Sequence, residues 1–124
     1  MTTQEIANKL VDMFNAGEME KPYEELYNQD IISIEHEGND DMSRCEGMAQ
    51  VMKKSEWWHE NFEVHSASMS QPVVADDYFS VSITMDTTHK PSGKREQMTE
   101  LAVYKVQGGK IVYEEFFYAM PDAQ

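Results

Sequence analysis

The hydrophobic period of this chain changes for good between His59 and Phe62, and that change narrows the folds open to it. Apart from the extended run Ile31 to Glu37, the apolar residues up to His59 recur at helical intervals, and from Phe62 onward they alternate. The clearest alternation sets Phe79, Val81, Ile83 and Met85 against Tyr78, Ser80, Ser82 and Thr84. A period of two buries one face of a strand and wets the other. Four strand-like runs follow one another. The first is Phe62 to Val74, where Pro72 marks a bulge or an edge, and the second follows the turn at Asp76-Asp77. Pro91-Ser92-Gly93 leads into the third, Arg95 to Val106, and Gly108-Gly109 into the fourth, Lys110 to Ala119. Runs joined by such turns predict an antiparallel meander, with the tail Pro121 to Gln124 fraying.

The earlier half reads differently. Thr2 and Glu5 stand at capping-box spacing, Ile6, Leu10, Met13 and Phe14 follow on one helical face, and Gly17 supplies the stop. Pro22 suits the first turn of a short second helix in which Tyr23, Leu26 and Tyr27 share a face, ended by Asn28 to Asp30. Ile31 to Glu37 is β-branched and extended in character, before the turn-rich run Gly38 to Asp41. Ser43 and Glu46 repeat the capping spacing, which predicts a third helix to about His59 with Met48, Val51, Met52 and Trp58 on its apolar stripe. The order ααβαββββ specifies an α+β fold: three helices packed on the concave face of a curved, mostly antiparallel sheet, enclosing a conical space with its mouth at one end.

The chain has 124 residues, enough for one domain. Its 23 acidic residues against 10 basic ones give a formal net charge of -13, which repels nucleic acid and acidic membrane surfaces. No stretch approaches a membrane span, and the opening MTTQEIANKL lacks a basic-then-apolar signal pattern, so a soluble, cytoplasmic protein is expected. Cys45, the only cysteine, excludes an internal disulfide or a cysteine-based zinc cluster. It is expected at the start of the third helix, with no histidine spaced as its base, and reads as structural. Gly-rich phosphate loops, Gly-x-Ser-x-Gly elbows and His-Glu-x-x-His motifs are absent from the sequence.

Several short segments, in order, carry a family resemblance. They are Ala16-Gly17-Glu18 after helix one, Leu26 to Ile31 leading into the first strand, Glu46-Gly47 opening helix three, Gly108 to Ile111, and Glu114 to Phe117. Over nearly its full length the chain resembles the nuclear-transport-factor-two-like superfamily, and within it the SnoaL-like branch that includes ketosteroid isomerases and polyketide cyclases. The resemblance implies a ligand pocket between helices and sheet, and pairing through the outer face of the sheet. In the isomerase branch the general base is an aspartate a few residues after a Tyr-x-x-Asp lead, and counting from Tyr27 and Asp30 that position falls on Glu35. The oxyanion-stabilising tyrosine of that branch would fall near Leu10 and its protonated acid near Ala102. Both departures argue against steroid isomerase chemistry, because a base without donors aimed at the enolate lacks the larger electrostatic part of the rate enhancement.

Ile31, Ser33, Glu35 and Glu37 share one face of the first strand, and Ile32, Ile34 and His36 the other. The resemblance favours Glu35 as pocket-facing. Hydrophobicity alone favours the opposite face, with His36 at the pocket end of an apolar stripe, and a solvated strand end is the third alternative. In the third meander run Met98, Glu100, Ala102 and Tyr104 share a row. An inward Glu100 needs a partner or a proton, and an ion pair with Arg95 or Lys105 near an edge is the bland reading. Glu114, Phe116 and Tyr118 fall on the face matching the family's pocket wall. Glu35, Glu100 and Glu114 could share a proton; no histidine stands at metal-ligating spacing, so neither metal nor cofactor is expected. Trp57 and Trp58 end the third helix, as a pocket cap or as filling between helix and sheet. The ligand expected is a small, apolar, oxygenated molecule, handled by Glu35, Glu100 and Glu114 and contacted by His36, Trp57, Tyr104, Phe116 and Tyr118. The alternative is a binding or dimerisation module using Phe79 or Phe117, Val103 and Tyr113 on the outer sheet face.

Overall fold

The computed structural model describes residues 1–36 and 42–119. Glu37, the acidic turn Gly38 to Asp41 and the tail Pro121 to Gln124 lie outside the described residues. In chain order the elements are α1 (Thr3–Asn15), α2 (Lys21–Glu25), β1 (Tyr27–Glu35), β2 (Arg44–Glu46), α3 (Met48–Asn61), β3 (Phe62–Met69), β4 (Val73–Ala75), β5 (Tyr78–His89), β6 (Lys94–Gln107) and β7 (Lys110–Phe117). The strands form one sheet in the order β2-β1-β7-β6-β5-β3, with β4 continuing along the same partner, β5. Every pairing is antiparallel except β1 with β7. The expected α+β arrangement is therefore present, with the meander completed by a parallel N-terminal strand.

The Thr2 capping box forms as its spacing predicts: the Thr2 hydroxyl accepts from the Glu5 amide at 3.1 Å, and the Glu5 carboxylate accepts from the Thr2 amide at 2.9 Å. The apolar face of α1 then buries Ile6, Ala7, Leu10 and Val11. Its end is tied to the sheet by Asn15, whose side chain donates to the Met69 carbonyl and accepts from the Met69 amide. On the sheet, Phe79, Val81 and Ile83 of β5, Ala102, Tyr104 and Val106 of β6, and Ile111 of β7 point to the same core. Each fully buried large side chain there contributes about 2 kcal/mol through removal of apolar surface from water.

Five local expectations are corrected. Ser43 and Glu46 do not cap α3. Arg44, Cys45 and Glu46 instead pair with Ile34, Ser33 and Ile32, so the backbone groups in front of the helix are satisfied by a strand partner. Cys45 is buried in β2 rather than placed at a helix terminus. Leu26 and Tyr27 leave the second helix early, and Tyr27 begins β1, where the Leu26 carbonyl accepts from the Ile111 amide at 2.8 Å. The run Phe62 to Val74 divides into β3 and β4, because Pro72 interrupts the ladder. Phe79 lies on the buried side of β5 at 1% exposure, stacked on Tyr104, and is not part of the outer sheet face. Among the described residues no helix is long and apolar enough to cross a membrane.

Gly47 makes the turn from β2 into α3. Its φ is +89°, in the left-handed region, while its amide donates to the Ile31 carbonyl at 2.7 Å. A Cβ there would sit at an ordinary 3.8 Å from the Gln29 carbonyl oxygen, so the cost of a side chain is conformational and not a clash. Gly47→Ala is expected to lower stability by about 1 kcal/mol in urea unfolding with an unchanged m-value. Unchanged stability would show that the turn tolerates an L residue.

Candidate functional site

Cross-strand register sets up the site. On the inward face of the sheet one transverse row runs Ser33, Glu114, Tyr104, Phe79, and the next runs Glu35, Phe116, Ala102, Val81. Glu100 stands opposite Ile83 one step further along β6. The helices close over these rows and leave a cavity of about 470 Å³. Leu10 and Phe14 of α1, Tyr23 of α2, and Lys54, Ser55, Trp57 and Trp58 of α3 line it from the helical side. Tyr27, Glu35, Met85, Glu100, Tyr104, Glu114, Phe116 and Tyr118 line it from the sheet.

At the floor, Glu114 is 2% exposed and each of its oxygens accepts from a hydroxyl, one from Tyr27 and the other from Ser33 at 2.7 Å. Burial pushes its carboxyl up, opposed by the hydrogen bond from Tyr27, the Lys54 charge and the hydrogen bond from Ser33. Burial also drives the Tyr27 and Tyr104 phenols far above their usual range, reinforced by the Glu114 charge, so both stay protonated donors at neutral pH. The Lys54 ammonium donates to the Ser33 hydroxyl at 2.8 Å, lies 3.8 Å from a Glu35 carboxylate oxygen and sits over the Phe116 ring at 5.5 Å. The Tyr118 hydroxyl is 3.5 Å from the other Glu35 oxygen. A continuous polar path thus runs from Tyr27 through Glu114, Ser33 and Lys54 to Glu35 and Tyr118.

Glu100 is apart from that path. Burial, then repulsion from Glu35, raises its carboxyl to about 7, against an opposing pull from Lys54. It forms no hydrogen bond or ion pair among the described residues; Arg95, one of the partners considered from sequence, binds Asp86 instead at 2.8 and 3.0 Å. A carboxyl that titrates near neutrality beside an ion-paired carboxylate is a group that can hold or release a proton at working pH.

Of the residues singled out from sequence, Glu35, Glu100, Glu114, Trp57, Tyr104, Phe116 and Tyr118 all line the cavity. His36 does not, which corrects its placement in the pocket. It lies on the outer face, bonded to Glu115 at 2.8 Å and packed against Phe117 at 4.6 Å between centroids. The apolar side of β1 that argued for it, Ile32 and Ile34, covers the half-buried outer sheet surface. Leu10 and Ala102, where the isomerase branch keeps its tyrosine and acid, are buried apolar residues. Sequence reasoning missed Tyr23, Tyr27, Ser33 and Lys54. Lys54 carried a usable signal: it stands three residues after Val51 and four before Trp58, on the helix face that α3 turns to the sheet. Among the described residues no group of three or more His, Cys, Asp or Glu is arranged to hold a metal ion.

The profile of the SnoaL-like domain family matches residues 1–118. A crystal structure from Mesorhizobium loti, named as a candidate SnoaL-like polyketide cyclase, is 36% identical, with 95% of this chain and all of that one covered at a TM-score of 0.90. A candidate polyketide cyclase from Pseudomonas putida shares the fold at 21% identity and a TM-score of 0.75, covering 99% of this chain and 96% of that one. A protein with a ketosteroid isomerase-like fold from Catenulispora acidiphila, solved in complex with trimethylamine, shares it at 14% identity and a TM-score of 0.71, over 94% and 86% of the two chains. No curated protein matches the chain.

The raised Glu100 carboxyl has a consequence for stability. Below pH 4.5, its ordinary value, the group is protonated in the folded and unfolded chains alike. Between there and about 7 the unfolded chain releases the proton first, so the contribution of this group falls as pH rises and levels off above that value, a loss of up to about 3 kcal/mol. Glu100→Gln is therefore expected to unfold several degrees higher than the parent at about pH 8 and at nearly the same temperature at about pH 4. A variant less stable than the parent at the higher pH would contradict this environment for Glu100.

Proposed function

Because the chain belongs to the SnoaL-like family, we propose that it is a cytoplasmic small-molecule pocket protein that binds an apolar, oxygenated ligand and acts on it by cofactor-independent proton transfer, of the isomerase, cyclase or dehydratase kind. The observation that carries this reading is the segregation of the cavity. Glu35, Lys54, Glu100 and Glu114 gather against β1, β6 and β7, Glu20, Ser55 and His59 form a second polar group paired among themselves beside α3, and Phe14, Trp57, Trp58, Phe62 and Met85 supply apolar wall between them. Such a cavity buries a hydrocarbon body and fixes one functional end, which is the usual design of a ligand site.

In this reading Glu35 is the base. It takes a proton from a carbon activated by a neighbouring carbonyl, and the charge that develops on that oxygen falls near the Lys54 ammonium and the Tyr118 hydroxyl, which are donors. Glu35 then gives that proton back at another atom of the ligand, which regenerates the base, while Glu100 binds a polar end of the ligand. Glu114, with both oxygens already occupied by hydroxyls, positions Tyr27 and Ser33 and through Ser33 fixes Lys54. Trp57 and Phe116 hold the apolar body.

A second reading has its own support on the other side of the sheet. Leu101 and Tyr78 are 47% and 46% exposed on the outer face, where Leu101 stands opposite Phe117, and Val103 and Tyr113 are half-buried nearby. We infer that this face pairs two copies of the chain. A diffuse negative charge opposes such pairing weakly once salt screens it. Size-exclusion chromatography with light scattering should give twice the chain mass; a strict monomer at high concentration would contradict the pairing.

Catalysis is tested in two steps. A thermal-shift screen against lactones, aromatic polyketides, steroids and short hydroxy acids identifies a ligand class through stabilisation that grows with ligand concentration. On a substrate from that class, Glu35→Gln is expected to lower kcat by at least about a hundredfold, with the unfolding temperature little changed. Full turnover in that variant would remove Glu35 from the chemistry.

A further inference from the structure

The cavity is unbalanced in charge. Four carboxylates line it, Glu20, Glu35, Glu100 and Glu114, against Lys54 and His59. Three of the four are already served. Glu20 accepts from the Ser55 hydroxyl at 3.1 Å and lies 3.2 Å from the His59 ring, Glu35 faces Lys54, and Glu114 accepts from Tyr27 and Ser33. Glu100 alone of the four has no hydrogen bond or ion pair among the described residues, and it faces a cavity walled by the rings of Tyr23, Trp57, Trp58, Phe62, Phe116 and Tyr118.

Each kind of ligand can be weighed against that inventory. An anion would enter among four carboxylates and find a lysine whose ammonium is already engaged by Ser33 and Glu35. A neutral hydrocarbon would bury Glu100 further and force it to keep its proton, leaving a buried carboxyl without a partner. A cation would supply the missing partner, and its alkyl groups would meet aromatic faces, which attract positive charge through the ring quadrupole. Lys54 over Phe116 shows that a ring of this wall already accepts a cation at 5.5 Å. The formal net charge of -13 on the chain raises the concentration of cations at its surface and slows none of their approach.

We propose that the ligand of this cavity is an apolar molecule bearing a protonated or quaternary amine, with Glu100 holding the cation and the aromatic wall its hydrocarbon part. The proposal rests on the pocket reading above and specifies its substrate class. It assigns an oxygenated centre elsewhere on the same molecule to the Glu35–Lys54 pair.

Benzyltrimethylammonium and neopentylbenzene, its uncharged isostere, separate the charge from the shape. Their affinities are measured by NMR titration at low ionic strength and about pH 8, where the Glu100 carboxyl is ionised. The cation is expected to bind the parent protein at least about tenfold more tightly than the isostere. In Glu100→Gln that preference is expected to fall to within about threefold while the isostere still binds, which also shows that the cavity is intact. Glu100→Ala is read in the same way should the amide variant not fold. Equal affinities in the parent, or a preference that survives loss of the carboxylate, would overturn the cation and leave the pocket standing. Binding of neither probe would overturn the cation as well, and the pocket would then be judged on the oxygenated panel alone.

Discussion

Glu114 and the two hydroxyls that donate to it hold the centre of this structure. The carboxyl belongs to β7, Tyr27 and Ser33 to β1, and these two strands make the one parallel pairing among the described residues, which joins the N-terminal half of the chain to the meander. A buried carboxyl without partners costs several kcal/mol, so its two hydrogen bonds specify the register of β1 against β7 as firmly as the backbone ladder does. Shifting β1 by one residue would turn Ser33 outward and leave Glu114 unsatisfied. The same register brings Glu35 opposite Phe116 and within 3.8 Å of Lys54. Pocket chemistry and strand pairing are therefore set by one constraint.

From that floor the rest of the cavity follows. Lys54 reaches the floor through Ser33, which fixes the rotation of α3 about its axis and brings Trp58, four residues on along the same helical face, to the cavity. Trp58 then stacks on Phe62 at 5.2 Å, at the point where the helix hands over to β3. One polar group gathers where strands β1, β6 and β7 meet, and the rings of Trp57, Trp58 and Phe62 lie where α3 ends, beside the paired Glu20 and His59. The division gives a ligand a defined orientation before any chemistry is considered.

Much of this was legible in the sequence, for identifiable reasons. The change from helical to alternating periodicity marked the meander, and in β6 the row Met98, Glu100, Ala102, Tyr104 was correctly read as inward because its alternate neighbours are polar or charged for much of the strand. The capping box at Thr2 was legible because both its partners are local. What could not be read depends on distant residues. Ile31 and Ile32 are equally apolar, so only the pairing with β7 decides that Ser33 and Glu35 face inward and His36 faces out. Ser43 and Glu46 carry the spacing of a cap, yet the free edge of β1 takes that segment as a strand. Lys54 escaped notice because a lysine on a helix is ordinarily solvated; here its ammonium meets Ser33 and Glu35, groups from a strand some twenty residues earlier. Phe79 was offered to the outer surface against its own alternation, which had already placed it in the core.

The central claim is that the cavity between helices and sheet, and not the outer sheet surface, receives the ligand. Backbone amide NMR of the isotope-labelled protein, titrated with the compound that most stabilises it against heating, tests this directly. The account predicts saturable shifts concentrated at Ser33 to Glu35, Lys54 to Trp58, Met98 to Tyr104 and Glu114 to Tyr118, with the tip of the β5–β6 hairpin around Gly93 unmoved. Saturable shifts confined to outward-facing residues such as Tyr78, Lys105 and Tyr113, with Lys54 and Trp58 unmoved, would contradict it.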